Sequence, residues 1–186
     1  MYRLSSYLRN AVAAFFLIGT LSAPVFAQDD ELEALFAGLK AAEPAAAEQI
    51  AGRIYAIWAQ SGSDSMDLLL SRGRDALEGG DMKRAVEHLS ALIDHAPAFA
   101  EAYNARAPAY FQMGRYGQSL ADIRQTLLLN PRHFNAMSGL ALILEEIGEP
   151  EGALQAWREV ERLHPNREGL SDAVQRLARQ VEGAEL

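Results

Sequence analysis

The chain has 186 residues and 49% hydrophobic content, enough to bury the core of one domain, which excludes global disorder. It contains no cysteine, which excludes disulfides, thiolate chemistry, Cys-ligated zinc and a Cys-anchored lipoprotein. Its formal charge is −8, and an acidic body with scattered arginine argues against nucleic acid and against anionic membrane surfaces as partners.

Residues 1–27 read as a secretory signal peptide. "MYRLSSYLRN" carries Arg3 and Arg9, "AVAAFFLIGTLSA" is apolar, and "PVFA" places Val25 and Ala27 three and one residues before a cut. The alternative is an uncleaved anchor. The apolar run is short for a span of ~20 residues, and Pro24 lies near its end. Cleavage is expected after Ala27. Arg3 and Arg9 then leave while every acidic residue stays, so the mature charge falls from −8 to −10. No Cys follows the cut. The leader is bacterial in flavour, so the expected product is a soluble periplasmic chain with no membrane insertion after cleavage.

Residues 28–65 contain two expected helices. "DELEALFAGLKAA" is the first, and Pro44 opens the second, "PAAAEQIAGRIYAIWAQ", where Ile50, Ile54, Ile57 and Trp58 share a face. A window at 32–65 is in phase with the repeat that follows at Leu35, Ala51 and Tyr55. Gly38, Leu39 and Ser63 fit it poorly. The pair reads as a degenerate repeat or an N-terminal cap, with "SGSDS" (61–65) as a tight connector.

From residue 66 onward one period organises the chain. Pro97, Pro131 and Pro165 are 34 residues apart, as are Gly80, Gly114 and Gly148. Ala85, Ser119 and Ala153 keep the spacing, and so do Gly73, Ala107 and Ala141. Bulky residues follow it too: Leu69, Tyr103 and Met137; Leu89, Ile123 and Trp157. Three windows result, 66–99, 100–133 and 134–167, each predicted as two helices. Glycine suits a left-handed helix end, Asp81 and Pro150 suit helix starts, and the late proline stops the second helix. The small residues let paired helices approach closely. Residues 168–186 are expected to form a capping helix and tail. There Leu170, Ala173, Val174, Leu177, Ala178 and Val181 share one face.

This pattern resembles the tetratricopeptide repeat (TPR) family, most clearly in "AEAYNARAPAYFQMGRYGQSLADIRQTLLLNP". The resemblance implies an all-α fold: a right-handed superhelical stack of helix-turn-helix hairpins with a C-terminal capping helix. It also implies a concave groove formed by the first helix of each hairpin. On that basis the groove takes Leu70, Arg74, Leu77 and Glu78 from the first window and Glu101, Asn104, Pro108, Phe111 and Gln112 from the second. The third contributes Asn135, Ser138, Leu142, Glu145 and Glu146. Pro108 falls inside a predicted helix, where it forfeits the bond to Asn104 at a cost of ~3 kcal/mol. It reads either as a tolerated kink or as a bend that shapes the groove. The family's carboxylate clamp for chaperone C-terminal tails uses lysines and asparagines on this face. Leu70 and Pro108 stand at two of those places and no lysine lies in the groove, so an acidic tail is not the expected ligand.

No catalytic grouping stands out, no metal site or cofactor is expected, and the chain does not read as an enzyme. His95, His133 and His164 fall at or just after the ends of second helices, where a histidine can meet exposed carbonyls. Glu145-Glu146 are helix neighbours that point apart, and no phosphate-cradling loop appears. Trp58 and Trp157 read as core residues. Arg106 occupies a place that commonly holds Leu in this family, as Leu140 does in the third window. Asp122, sixteen residues on, is its expected partner in a structural ion pair, where the third window has Ala156. The leading expectation for function is a non-enzymatic protein–protein interaction module of the periplasm, an adaptor or assembly factor. It would bind a protein or peptide partner in the groove, with the convex face or an edge as the alternative surface. A chaperone-like holder of exported clients and an accessory subunit of an envelope enzyme complex are the other readings. Oligomeric state and partner identity are not legible.

Overall fold

A computed structural model describes residues 24–184, and over these the chain is a succession of helices. They are α1 (Pro24–Ala41), α2 (Pro44–Trp58), α3 (Asp64–Glu78), α4 (Met82–His95), α5 (Ala100–Gln112), α6 (Tyr116–Leu129), α7 (Phe134–Glu146), α8 (Pro150–Leu163) and α9 (Leu170–Ala184). Most of the expected leader, residues 1–23, lies outside the described residues. The expected cut after Ala27 falls in the first turn of α1. No helix among the described residues is long and apolar enough to cross a membrane.

The three hairpins α3–α4, α5–α6 and α7–α8 share one turn. Gly80, Gly114 and Gly148 have φ of 79°, 69° and 80°, a left-handed conformation that only glycine adopts without strain. The amide after each glycine reaches back to a carbonyl in the last turn: Asp81 to Ala76, Arg115 to Tyr110 and Glu149 to Leu144, all at 2.8 Å. The glycine amides bond Leu77, Phe111 and Glu145. This is a Schellman stop, and it explains why the glycine period is so regular. Asp81 then accepts from the Arg84 amide at 3.0 Å to start α4, and Pro150 opens α8.

Close approach within each hairpin is built on the small residues. Ala85 and Ala153 are fully buried and Ser119 nearly so, and the Ser119 hydroxyl donates to the Ala107 carbonyl at 2.8 Å. Gly73 leaves no room at all. A Cβ there would sit 2.4 Å from Cγ of Leu89, itself fully buried. At the far end, α9 lays Leu170 and Leu177 into the core, with Ala173, Val174, Ala178 and Val181 packed beside them.

The hairpin α1–α2 departs from the order of the chain. It does not stack on α3 as a preceding repeat would. Its buried side chains, Leu35, Phe36, Leu39, Ala47, Ala51 and Ile54, join one core with Phe134 and Met137 of α7 and Val160 and Leu163 of α8. The physical reason lies on both sides. The first hairpin offers a mainly polar face, since Ser71, Arg72 and Asp75 of α3 are exposed with Leu68 the one large apolar side chain beside them. The start of α7 offers an aromatic one. Phe134 packs against Phe36, Tyr55 and Trp58 at centroid distances of 6.3, 5.1 and 5.4 Å. Polar contacts pin the arrangement. Asn166 donates to the Ala42 carbonyl at 2.6 Å, and Arg132 pairs with Glu33 at 2.7 Å while lying over the Phe36 ring.

Candidate partner-binding groove

The first helices α5 and α7 stand side by side and leave a cavity of about 140 Å³ between them. Its walls are Asn104, Pro108 and Phe111 from α5 and Asn135, Gly139 and Leu142 from α7; its floor is Ala107, Ser119, Ile123, Ala136 and Ile143. Phe111 is half-buried against Tyr116 at 5.5 Å, whereas Leu142 is 53% exposed. An exposed leucine beside a recessed apolar floor is a place where an incoming apolar side chain removes area from water on both partners. Apolar cavities of about 150 Å³ hold a benzene ring, so the space accepts one aromatic or branched aliphatic side chain.

Below this cavity the groove is closed by a polar network around Glu101, which is 6% exposed. Its carboxylate takes bonds from the Arg74 guanidinium, from Asn104 Nδ2 at 3.1 Å and from His133 Nε2 at 2.8 Å. Burial pushes this carboxyl up. The His133 bond and charge, Arg74 and Asn104 together outweigh burial and hold it below the ordinary carboxylate range. His133 Nδ1 accepts the Ala136 amide at 3.3 Å, which assigns the proton to Nε2. The Trp58 ring stacks on His133 at 4.4 Å, and the Tyr55 hydroxyl donates to Asn135 Oδ1 at 2.6 Å. Burial raises the Tyr55 phenol well above its usual range, so it stays a donor. The α1–α2 hairpin therefore touches the groove at its lower end.

The candidate residues divide into three groups. Asn104, Phe111 and Leu142 meet at the cavity, with Pro108 between them. Arg74, Glu145 and Gln112 lie on the face without lining it. Arg74 is committed to Glu101. Glu145 accepts from Trp157 Nε1 at 2.7 Å and from Arg176 of α9 at 2.6 Å, and Gln112 is exposed beyond the rim. Leu70 and Ser138 are corrections to the groove, and Leu77 is half-buried outside the cavity. Leu70 is 2% exposed, because Ala102 and Ala105 are small enough for α3 to close on α5 over it. Leu77 packs against Ala76, Ala85 and Ala109. Ser138 is buried, donating to the Phe134 carbonyl and accepting from Arg167 at 2.6 Å. His133 corrects the reading of a histidine that meets helix-end carbonyls. It sits at the start of α7, where the free groups are amides, and caps one.

Arg106 lies away from the cavity. Its Nε and Nη2 donate to the two oxygens of Asp122, both at 2.8 Å, and Nη1 donates to Ser90 at 2.8 Å. Its guanidinium faces the Tyr110 ring at 5.3 Å. Burial works against the charged guanidinium, but Asp122 more than compensates and keeps its pKa raised.

Repeat geometry of this kind invites comparison with known sequences. The profile described as tetratricopeptide repeat matches residues 70–111 and 104–168. A TPR repeat-containing protein of Rhizobium etli is 35% identical over 153 residues, which is 82% of this chain and 75% of that protein. The chain belongs to the tetratricopeptide repeat family. An Hsp70-Hsp90 organizing protein of Triticum aestivum is 31% identical over 100 residues, but these are 54% of this chain and only 17% of that protein. Among solved structures, the first TPR of Spaghetti (RPAP3), bound to the HSP90 peptide SRMEEVD, superposes with a TM-score of 0.60. It is 19% identical and covers 63% of this chain and 93% of its own, a likeness of fold.

The TPR register leads to the walls of the cavity and misses its floor. Ile123, Ala136 and Ile143 of the floor are core positions by the repeat pattern, and Gly139 is the wall residue that the register also passes over. A signal exists at Gly139, where the second window has Ala105 and the first Ser71. Without a Cβ, which would stand 3.4 Å from Ile123 Cδ1, α7 leaves the recess open.

Proposed function

We propose that this TPR chain is an interaction module of the bacterial periplasm, an adaptor or assembly factor. In this reading it grips one apolar side chain of a partner segment between α5 and α7. The observation that carries the proposal is the recess between Phe111, Pro108 and Leu142, whose walls the protein's own side chains leave uncovered. Asn104 and Asn135 flank it and can bond the backbone of an extended segment, which supports a peptide ligand. The charge beside it that is not held in an ion pair is negative: Glu146 meets only the hydroxyl of Tyr116, which packs on Phe111, at 3.4 Å. Arg74 is paired with Glu101. The flanks of the ligand are therefore neutral to basic. This departs from the TPR that was solved with SRMEEVD, because an acidic peptide here would meet like charge with no free lysine to hold it. Export to the periplasm rests on the leader, residues 1–27.

The test is a titration of labelled nine-residue peptides with a central Phe or Leu and either lysine or aspartate flanks. The lysine-flanked peptide binds, and its affinity drops at least tenfold in the Phe111→Ala, Leu142→Ala double variant. That loss corresponds to about 1.4 kcal/mol, in the range of a buried anchor. Unchanged affinity in a double variant that circular dichroism finds folded would place binding on another face. Pull-down from periplasmic extract then separates one stoichiometric partner from the many weak clients of a holder.

A further inference from the structure

The contact between the α1–α2 hairpin and the repeats contains a buried histidine with nothing to bond. His164, between α8 and α9, is 1% exposed, and neither ring nitrogen has a hydrogen-bond partner. Phe134 of α7 meets it edge to face at 5.4 Å. Glu48 of α2 stops 3.8 Å from Nε2, too far for a hydrogen bond. The other charge that faces it is Arg167, in the loop before α9. The equivalent places in the first two repeats hold Ala96 and Asn130, so at this place histidine stands only in the repeat on which α2 lies.

We propose that the α1–α2 hairpin is a proton-sensitive latch across the lower end of the groove, with His164 as the group that releases it in acid. A neutral imidazole fits under Glu48 and Phe134. A charged one is taken from water, sits near Arg167, and has no hydrogen bond to replace hydration. Burial holds its pKa below the ordinary histidine value of 6.5; Glu48 opposes this and Arg167 adds to it. The sign follows from linkage. With the hairpin undocked, His164 takes its proton near pH 6.5, whereas docked it refuses the proton until lower pH. Docking is therefore at full strength above about pH 6.5 and weakens as pH falls from there through the docked pKa. The second histidine at this contact, His133, is bonded at both nitrogens, to Glu101 and to the Ala136 amide. Release takes Tyr55 off Asn135 and Trp58 off His133, and uncovers Phe134 beside the groove.

Hydrogen exchange of the full chain at pH 7.5 and pH 5.0, corrected for intrinsic rates, tests this without any partner. Residues 44–58 exchange at least about threefold faster at pH 5.0, while α5–α8 keep their protection. In His164→Phe the acceleration falls below about twofold. In Glu48→Gln it grows, because the carboxylate that eases protonation is gone. Glu48 has a half-exposed side chain, so this variant folds and decides the matter even if His164→Phe does not. Equal acceleration in a folded His164→Phe, slower exchange at pH 5.0, or a smaller response in Glu48→Gln overturns the latch.

Discussion

Asp122→Ala tests whether the second hairpin is held by a charge pair or merely accommodates one. The Asp122 side chain is 6% exposed and that of Arg106 16%, and the two exchange parallel bonds at 2.8 Å. Removing the acid alone leaves a guanidinium that has lost two of its bonds in a largely dry site. Breaking a buried pair from one side costs about 3–5 kcal/mol. Arg106 keeps its bond to Ser90, its Tyr110 face and some solvent, which places the loss near the lower end, about 3 kcal/mol. With a urea slope of about 2 kcal/mol per molar, the midpoint falls by roughly 1.5 M. The double variant Asp122→Ala, Arg106→Leu removes the stranded charge and copies the third hairpin, where Leu140 and Ala156 stand at these places. It recovers most of the loss, leaving about 1 kcal/mol, well short of the sum of the two single losses. The assay is urea unfolding of the four proteins of the cycle, followed by circular dichroism at one pH. Equal losses in Asp122→Ala and the double variant would refute the reasoning, as would strictly additive single losses.

Gly73→Ala forces a methyl to within 2.4 Å of the Leu89 side chain and destabilises the first hairpin by about 1–3 kcal/mol. Gly117→Ala, whose Cβ meets nothing within 4 Å, is the control in the same urea assay, and similar midpoints in both would contradict the packing argument. Pro108→Ala restores the backbone bond to Asn104 in a helix that already runs unbroken from Ala100 to Gln112. A gain on the order of 2 kcal/mol raises Tm by about 4–8 °C. No rise in a thermal melt means that the Asn104 carbonyl is already satisfied.

Local signals in the sequence determined the hairpins. A Schellman turn needs glycine at one place, a helix pair in close contact needs a small residue at two, and each repeat must supply its own. Those demands recur every 34 residues, and the period is therefore written along the chain in Gly80, Gly114 and Gly148 and in Ala85, Ser119 and Ala153. The walls of the cavity, Asn104, Phe111 and Leu142, were legible for the same reason: a repeat register says which side of a helix faces its neighbour and which faces the groove. Position alone misjudged Leu70 and Ser138, because the register does not report how far two helices close on each other. Only tertiary structure decided that Ala102 and Ala105 let α3 cover Leu70, and that Arg167 reaches back to Ser138. The placement of α1–α2 was also beyond local reading. Its apolar stripe is as consistent with packing on α3 as on α7, and the choice depends on which distant surface is aromatic and which is polar. Phe134, about 80 residues from Tyr55, supplies the aromatic surface. The same long-range packing buries His164 under Glu48, a juxtaposition that exists only once both ends of the chain have come together.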